Sequence, residues 1–303
     1  MNFSVLLLPA FLGGARRSFR AALVVLGATF LPGIGAAADP TSSPVFDTHV
    51  HLWKGETSLQ LYEAKIREAG IATSGVGAMW FGGINQAREG QPARIRQGND
   101  GILALAASHP SLVPIVTVHP YDGPEAITEL ERVAAQGARV LKIHPHTQRF
   151  DAADPRVLAL VRRAGELGMI VICDNASIVP SDCEKLFNLA LEAPRTTFVF
   201  AHLGALNFRF WNILKAARTA QGLFAENIYF DLSATVVLVA DSPIEDEFVW
   251  TIRNVGIDHV LLGSDFPQYS LAQNLEALDR LPLEPGEKEK IRHGNARALF
   301  KLK

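Results

Sequence analysis

Two histidines, His49 and His51, lie two positions apart in the segment FDTHVHLW. Side chains with this spacing on a β-strand point to the same face, so the two imidazoles can converge on one point. Converging imidazoles suit a divalent metal ion, but a catalytic zinc site usually takes three protein ligands and a water. Further ligands therefore have to come from later in the chain.

Asp265 is the strongest candidate for a third ligand, because it ends a wholly apolar segment in LLGSDFP. A carboxylate there can bind a metal and can also accept a proton from an attacking water. His202 in FVFAHLGA and Asp174 in VICDNA also follow apolar segments. Each has an ordinary structural explanation when taken singly, such as a capped turn at Asp265. Their shared position at the ends of apolar segments favours a common site.

Short apolar strands that alternate with amphipathic helices have to position these side chains. The strands are nearly continuous in apolar character, as expected where both faces of a parallel sheet are buried. Eight strand–helix repeats, without a glycine-rich phosphate loop after the first strand, predict an α/β fold, a single-domain (β/α)8 TIM barrel. Active sites in such barrels lie at the C-terminal ends of the strands. The predicted strands are 45–51, 75–81, 113–119, 139–144, 170–174, 197–202, 228–232 and 259–265.

The composition is that of a globular protein with a large core. The chain has 303 residues, of which 48% are hydrophobic and 20% charged, and its formal net charge is -2. This balance gives no reason to expect nucleic-acid binding. The sequence has no CxxC motif, which excludes a zinc site built from cysteines. Cys173 and Cys183 are predicted to be separate thiols.

The segment 1–38 has the features of an export signal. Arg16 and Arg17 precede a long apolar run, which ends in Ala-Ala-Ala at 36–38, a small-residue cleavage site. The paired arginines resemble the twin-arginine signal of exported bacterial proteins. We therefore expect a barrel over 39–303, a periplasmic or secreted location, and no stable membrane association after cleavage. An uncleaved anchor is the alternative, since the apolar run is roughly long enough to span a bilayer.

Five segments, in the order of the predicted strands, resemble the amidohydrolase superfamily. They are similar to its amidohydrolase-related branch, which contains metal-dependent hydrolases, lactonases and non-oxidative decarboxylases of carboxylated aromatic compounds. The resemblance covers essentially all of the chain after the export signal, and it implies a distorted barrel with one divalent metal ion, usually zinc. The segments are FDTHVHLW on the first strand, VLKIHP on the fourth, FVFAHLGA on the sixth, IYFDLSAT on the seventh and LLGSDFP on the eighth.

The resemblance also implies roles for individual residues. His49 and His51 would be metal ligands, and Asp265 would be a ligand or the general base. His202 would bind the metal, or would polarise the substrate and transfer protons. Lys142 and His144 belong to the fourth-strand motif, which lies near the substrate in this family.

One position departs from the family pattern. Relatives end the fifth strand in a histidine ligand, whereas this chain has Asp174 directly after Cys173. An aspartate can bind zinc at about the same distance as a histidine, and carboxylate ligands favour harder ions such as manganese. We expect the site to be retained with Asp174 or Cys173 near the metal. Zinc is the expected ion and manganese is the alternative.

Hydrolysis of a carboxylic ester, lactone or amide by a metal-activated water is the leading functional hypothesis, with Asp265 as the base and His202 stabilising the oxyanion. The alternatives are non-oxidative decarboxylation on the same site and a non-catalytic binding module on a degenerated barrel. The expected partner is a small molecule, and self-association of the chain is left open. Trp80, after the second strand, is a candidate for substrate binding or, equally, for packing at the barrel rim.

Overall fold

The computed structural model describes residues 44–220, 222 and 225–301, all of which belong to one compact unit. The expected export signal, 1–38, lies outside the described residues. Within them, eight parallel strands follow one another around a single sheet in the order of the sequence. The strands are β1 Val45–His51, β2 Thr73–Met79, β3 Leu112–Thr117, β4 Val140–Ile143, β5 Ile170–Cys173, β6 Thr197–Phe200, β7 Ile228–Asp231 and β8 Val260–Leu261.

Helical segments follow every strand, so the predicted (β/α)8 barrel is confirmed. The helices are α1 Glu56–Glu68, α2 Pro92–Ser108, α3 Pro124–Ala135, α4 Pro145–Gln148, α5 Pro155–Glu166, α6 Asp182–Glu192, α7 Ile213–Ala217, α8 Thr235–Val239, α9 Glu245–Val255, α10 Leu271–Arg280, α11 Pro285–Glu289 and α12 Asn295–Leu299. Short 3-10 turns cover Pro120–Asp122 and Ile257–His259, and a longer 3-10 segment with a kink covers Ala201–Asn212. A π turn covers Lys290–Gly294. None of these helices, in the part of the chain that is described, has the length and hydropathy needed to cross a membrane.

Several strands end earlier than predicted. Predicted strand 197–202 stops at Phe200, and predicted strand 259–265 is regular only over Val260–Leu261. The backbone leaves the extended region at the ligand-type residues: φ is 65° at His202 and 59° at Asp265. Positive φ is unfavourable for residues other than glycine, so regular strand geometry cannot continue through these positions.

The barrel closes between β8 and β1, along a junction that we call the seam. The backbone amide of Thr48 donates to the carbonyl of Leu262 at 3.0 Å, and the amide of Asp265 donates to the carbonyl of His49 at 2.8 Å. The Thr48 hydroxyl also donates to the Leu262 carbonyl, at 2.9 Å. The seam therefore brings the beginning and the end of the barrel into direct contact at the level of the candidate ligands.

Asp47 is the buried side chain that holds the seam together. Its Oδ1 accepts hydrogen bonds from the amides of Ser264, at 2.8 Å, and of His49, at 3.2 Å. Its Oδ2 accepts a hydrogen bond from the hydroxyl of Tyr62 at 3.0 Å. Burial raises the pKa of Asp47 to about 6, although these hydrogen bonds oppose the shift. One carboxyl group thus connects β1, α1 and the segment after β8.

Replacing Asp47 by alanine is expected to destabilise the protein by about 3 kcal/mol, because it leaves buried donors on Ser264 and Tyr62 without partners. The measurement is the free energy of unfolding from chemical denaturation. Asp47→Asn is the matched control, because its amide oxygen can still accept a hydrogen bond from the Ser264 amide. This variant should lose less unfolding free energy than Asp47→Ala. Equal losses of unfolding free energy in the two variants would contradict the role of the Asp47 carboxyl group in holding the seam together.

A cluster of buried aromatic rings supports the backbone around His202. The rings of Phe200 and Trp211 stack with centroids 5.0 Å apart, and Trp211 meets Phe230 edge-on at 4.9 Å. Trp211 Nε1 donates to Asn175 Oδ1 at 2.9 Å, which ties the loop after β6 to the loop after β5. Trp211 therefore packs in the core rather than lining the site. The two cysteines are buried, separate thiols, as predicted.

Candidate active site

The candidate residues gather in a cavity of about 290 Å³ at the C-terminal ends of the strands. Seven of the eight residues predicted for the site line this cavity: His49, His51, Lys142, His144, Asp174, His202 and Asp265. Trp80 does not join them, because it lines a different cavity, beside Gly98 of α2. The indole that does line the site belongs to Trp53, in the loop after β1.

His49 is held in the tautomer that a metal ligand requires. Its Nδ1 donates to the Asp231 carboxylate at 3.1 Å, so the lone pair on Nε2 faces the cavity. Burial, followed by the charge of Lys142, lowers the pKa of His49 to about 4, and the ring is therefore neutral at neutral pH. A carboxylate behind the imidazole is the usual arrangement for a histidine that binds a metal.

His51 and Asp265 complete a group of three ligand atoms. His51 Nδ1 donates to the carbonyl of Phe81, which directs Nε2 towards Asp265 Oδ1, 3.3 Å away. His49 Nε2 lies 3.8 Å from the same oxygen. Burial would raise the pKa of Asp265, but the contact with His51 and the neighbouring imidazoles outweigh it and lower the pKa to about 2.

The chemistry of this group fits a divalent cation. The three ligand atoms lie within 4.8 Å of one another, and two imidazole lone pairs face one carboxylate. Acceptors placed this closely repel each other unless a proton or a cation lies between them. Two histidines and one carboxylate are also a common ligand set of catalytic zinc and of other divalent metals. His49, His51 and Asp265 would therefore hold the ion.

Asp174 pairs with two other histidines. Its Oδ2 lies 3.2 Å from His202 Nε2 and 3.3 Å from His144 Nε2. Because His202 Nδ1 already donates to the carbonyl of Ser233, at 2.9 Å, the ring carries two protons when it also donates to Asp174. Burial would lower the pKa of His202, but Asp174 raises it to about 9. At neutral pH His202 is thus an imidazolium at the edge of the cavity.

His144 has the opposite tautomer to His49: its proton is on Nε2, whereas that of His49 is on Nδ1. Its Nδ1 accepts a hydrogen bond from the amide of Thr147 at 3.4 Å, so Nε2 carries the proton that it donates to Asp174. Burial lowers the pKa of His144 to about 3 and keeps the ring neutral. The Asp174 carboxylate therefore satisfies two imidazoles. Its predicted role as a metal ligand stays a prediction. Among the described residues, the groups of close ligand atoms are His49, His51 and Asp265, and His49, His202 and Asp231, and neither includes Asp174.

Lys142 reaches the floor of the cavity from β4. Its side chain is fully buried, and Nζ lies 3.3 Å from His49 Nε2. The ammonium therefore donates to the lone pair that a metal would use, so the lysine and the ion are alternatives at this nitrogen. A metal held by His49 would release Lys142 Nζ from this contact.

Asp231 orients two of the histidines, and sequence reasoning assigned it no role. One oxygen accepts from His49 Nδ1, and the other accepts from the amides of His202, at 3.2 Å, and Ser233, at 3.0 Å. The contact with His49 is the main influence that outweighs burial and lowers the pKa of Asp231. Its position at the end of the apolar strand in IYFDLSAT was the available signal.

Replacing Asp231 by asparagine is expected to weaken metal binding by about 10- to 100-fold, because the amide can present its NH2 group to His49 and favour the wrong tautomer. Competition with a chromophoric chelator measures this affinity. Asp151→Asn, at an exposed aspartate paired with Lys185, is the matched control and should bind the metal normally. Unchanged affinity in Asp231→Asn would exclude the orienting role.

A sequence model described as amidohydrolase matches residues 46–302. The chain belongs to the amidohydrolase family. The match covers every candidate site residue and all the strands except Val45, and it confirms the resemblance of the five strand segments. No curated protein sequence matches this chain.

Several solved structures share the barrel fold of this chain. The 2,6-dihydroxybenzoate decarboxylase from Rhizobium is 16% identical, with a TM-score of 0.63 over 86% of this chain and 99% of that chain. The dihydroxybenzoic acid decarboxylase from Polaromonas sp. JS666, with bound manganese, is 16% identical, with a TM-score of 0.61 over 86% and 97%. A putative 2-pyrone-4,6-dicarboxylic acid hydrolase from Pseudomonas putida is 17% identical, with a TM-score of 0.59 over 85% and 97%. At these identities the similarity is one of fold.

Proposed function

We propose that this amidohydrolase is a metal-dependent hydrolase of a carboxylic ester, lactone or amide. The observation that carries the proposal is the placement of an ionised carboxylate, Asp265, beside the lone pairs of His49 and His51 and in the same cavity as the imidazolium of His202. A base and an acid that share one cavity suit addition of water to a carbonyl group followed by loss of a leaving group.

Each step of the proposed hydrolysis is assigned to particular residues of the chain. A divalent ion held by His49, His51 and Asp265 would supply a Lewis acid that acidifies water and polarises a carbonyl group. Asp265 accepts a proton from the water molecule while the oxygen of that water bonds to the carbonyl carbon. His202 donates to the oxygen that gains negative charge, and then gives its proton to the leaving oxygen or nitrogen as that bond breaks. Asp174 keeps His202 protonated between turnovers.

Zinc is the proposed ion, and manganese is the alternative. The ligand set of two histidines and one aspartate suits zinc. Manganese draws support from the Polaromonas neighbour, which binds it, and from the additional carboxylate at Asp174, because carboxylates favour harder ions. Elemental analysis of protein purified from cells supplied with both metals distinguishes the two.

Non-oxidative decarboxylation is the second candidate, because two of the three neighbours described above are decarboxylases. In that reaction Lys142 and the ion would hold the substrate carboxylate, and His202 would protonate the carbon that loses it. Hydrolysis uses both groups, the base Asp265 and the acid His202, whereas decarboxylation as written here uses only the acid, and for this reason hydrolysis is the first candidate.

Mass balance separates these reactions. In water enriched in the heavy oxygen isotope, hydrolysis places one labelled oxygen in the carboxylate product, whereas decarboxylation releases carbon dioxide. The proposal expects labelled product from a lactone and no carbon dioxide from a carboxylated phenol. Release of carbon dioxide without incorporation of labelled oxygen would contradict hydrolysis and support decarboxylation. Protein that contains no metal and turns over neither substrate would favour a non-catalytic binding module.

We further propose that the protein is exported and acts on a small molecule outside the cytoplasm. The support is the sequence of 1–38, with paired arginines before an apolar run and a small-residue cleavage site. Fractionation of expressing cells, with mass determination of the mature chain, tests both the location and the cleavage site.

A further inference from the structure

The walls of the active-site cavity differ in chemistry from one side to the other. Loops after β8, β1, β2 and β4 supply one side, and loops after β5, β6 and β7 supply the other. The first set carries mainly polar groups, whereas the second, apart from Asp174, His202 and Thr235, carries small or aliphatic side chains. Neighbouring strands in the sheet follow one another in sequence, so the loops of the second set are contiguous around the barrel mouth, and those of the first set are interrupted only by the loop after β3, which does not line the cavity. The cavity therefore has a polar wall and an apolar wall.

The polar wall presents three buried polar atoms that have no hydrogen-bond partner in the protein. They are Trp53 Nε1, Gln86 Oε1 and Thr147 Oγ1, on described residues that all line the cavity. The indole is a donor, the amide oxygen is an acceptor, and the hydroxyl can act as either. Buried groups of this kind are costly when left unpaired. Because each atom has almost no exposed surface, a polar group of a bound molecule would pair with it after the side chain has turned towards the cavity.

Two glycines let the Trp53 ring lie in this wall. Gly82 and Gly83 have positive φ values of 125° and 52°, and a Cβ atom on Gly83 would come within 2.5 Å of the indole carbon Cε2. Only glycine accommodates both the backbone conformation and the close approach of the ring. The loop after β2 is thus shaped to place the Trp53 indole at the site.

The apolar wall continues out of the cavity to solvent. It consists of Ala176, Ile178, Ala205, Ala234 and Leu238. Ile178 is 61% exposed and Leu238 is 53% exposed, so both extend this wall beyond the mouth. A substituent of several carbon atoms could follow the wall from the reaction centre to the surface.

Charged groups on the cavity wall disfavour an anionic substituent. No arginine of the described chain lines the cavity, and the lysine that does, Lys142, is fully buried at the floor beside His49. The carboxyl groups of Asp174 and Asp265 also line it. A carboxylate beside Ile178 and Leu238 would lose its hydration and would find no cation within the apolar wall, because the imidazolium of His202 is buried and already paired with Asp174.

We propose that the substrate is an uncharged lactone or ester with an apolar substituent. Its polar edge lies against the polar wall, and its substituent lies on Ile178 and Leu238. This inference rests on the proposed hydrolysis for the reacting group, but the shape and charge of the cavity carry it independently of turnover.

Binding of three cyclic ketones to the metal-loaded wild-type protein tests the inference without requiring hydrolysis. The ketones replace the ring oxygen of a six-membered lactone by carbon: cyclohexanone, 3-pentylcyclohexanone and 5-(3-oxocyclohexyl)pentanoate, which adds a terminal carboxylate. Calorimetry should show that 3-pentylcyclohexanone binds at least about tenfold more tightly than either of the others. Equal affinity for cyclohexanone, or tighter binding of the carboxylate, would overturn the proposal.

A pair of leucine variants locates the substituent. Leu238→Asp should remove the advantage of 3-pentylcyclohexanone over cyclohexanone, because it places a charge on the apolar wall. Leu61→Asp changes an exposed leucine on α1 that is outside the cavity, and it should leave the advantage intact. If the expected order of binding holds and δ-decalactone is not hydrolysed, the preference for an uncharged ligand with an apolar substituent is supported and the hydrolytic function is contradicted. If δ-decalactone is hydrolysed and the order of binding fails, the hydrolytic function is supported and the preference for an apolar substituent is contradicted.

Discussion

Asparagine in place of Asp265 is expected to leave the barrel folded and to lower kcat/KM for a lactone by about 10²- to 10⁴-fold. The amide has nearly the same shape as the carboxylate, but it cannot accept a proton from water at neutral pH and is a weaker ligand. The backbone amide of residue 265 still donates to the carbonyl of His49, so the seam should persist. Steady-state kinetics and circular dichroism of the variant measure the two effects.

The matched control for this experiment is Asp258→Asn. Asp258 lies just before β8, is exposed, and pairs with Lys290 at 2.7 Å. Its loss of charge should leave kcat/KM unchanged. Activity of Asp265→Asn close to that of the wild type would show that the proton from water goes to another group, and His202 would be the next residue to test.

Removal of the His49 imidazole is expected to abolish stoichiometric metal binding. The wild-type protein should contain one divalent ion per chain, and His49→Ala should contain close to none, because only His51 and Asp265 of the group of three remain. At a metal concentration about 100 times the dissociation constant, bound metal stabilises the wild-type fold by about 2.7 kcal/mol, and the variant should lack this gain. Elemental analysis and thermal unfolding with and without a chelator supply the readouts.

His109→Ala serves as the control for the metal experiment. His109 lies at the end of α2 and contacts Glu56 at 3.1 Å, outside the cavity. This variant should keep both the metal and the response of its melting temperature to chelation. A wild-type protein without metal, unaffected by a chelator, would contradict the metal site and would favour the binding module.

Much of the fold could be predicted from sequence because each strand is a short apolar run with a polar residue at its C-terminal end. In a barrel, that pattern alone places His49, His51, Asp174, His202 and Asp265 on one rim, where the structure also has them. The prediction required no contact information, since the parallel repeat fixes which ends of the strands meet. The strand boundaries were less accurate, because the backbone turns at the polar residues themselves.

The finer organisation of the site could not be predicted in the same way. Asp231 acts through hydrogen bonds to His49 and to the backbone of residues 202 and 233, and sequence spacing does not reveal such contacts. The sequence pointed to Trp80 rather than Trp53, because it does not show the turn at Gly82 and Gly83 on which the Trp53 ring packs. The tautomers of the histidines likewise depend on carbonyl groups that come from other loops.

The position of the seam has a consequence for how the protein matures. Two of the three candidate metal ligands come from the first strand and the third follows the last strand, so the site does not exist until the final part of the barrel has docked. Metal uptake would then be a late event that follows synthesis of nearly the whole chain. A partly synthesised or truncated barrel would bind the ion poorly, so bound metal would indicate that the barrel has closed between β8 and β1.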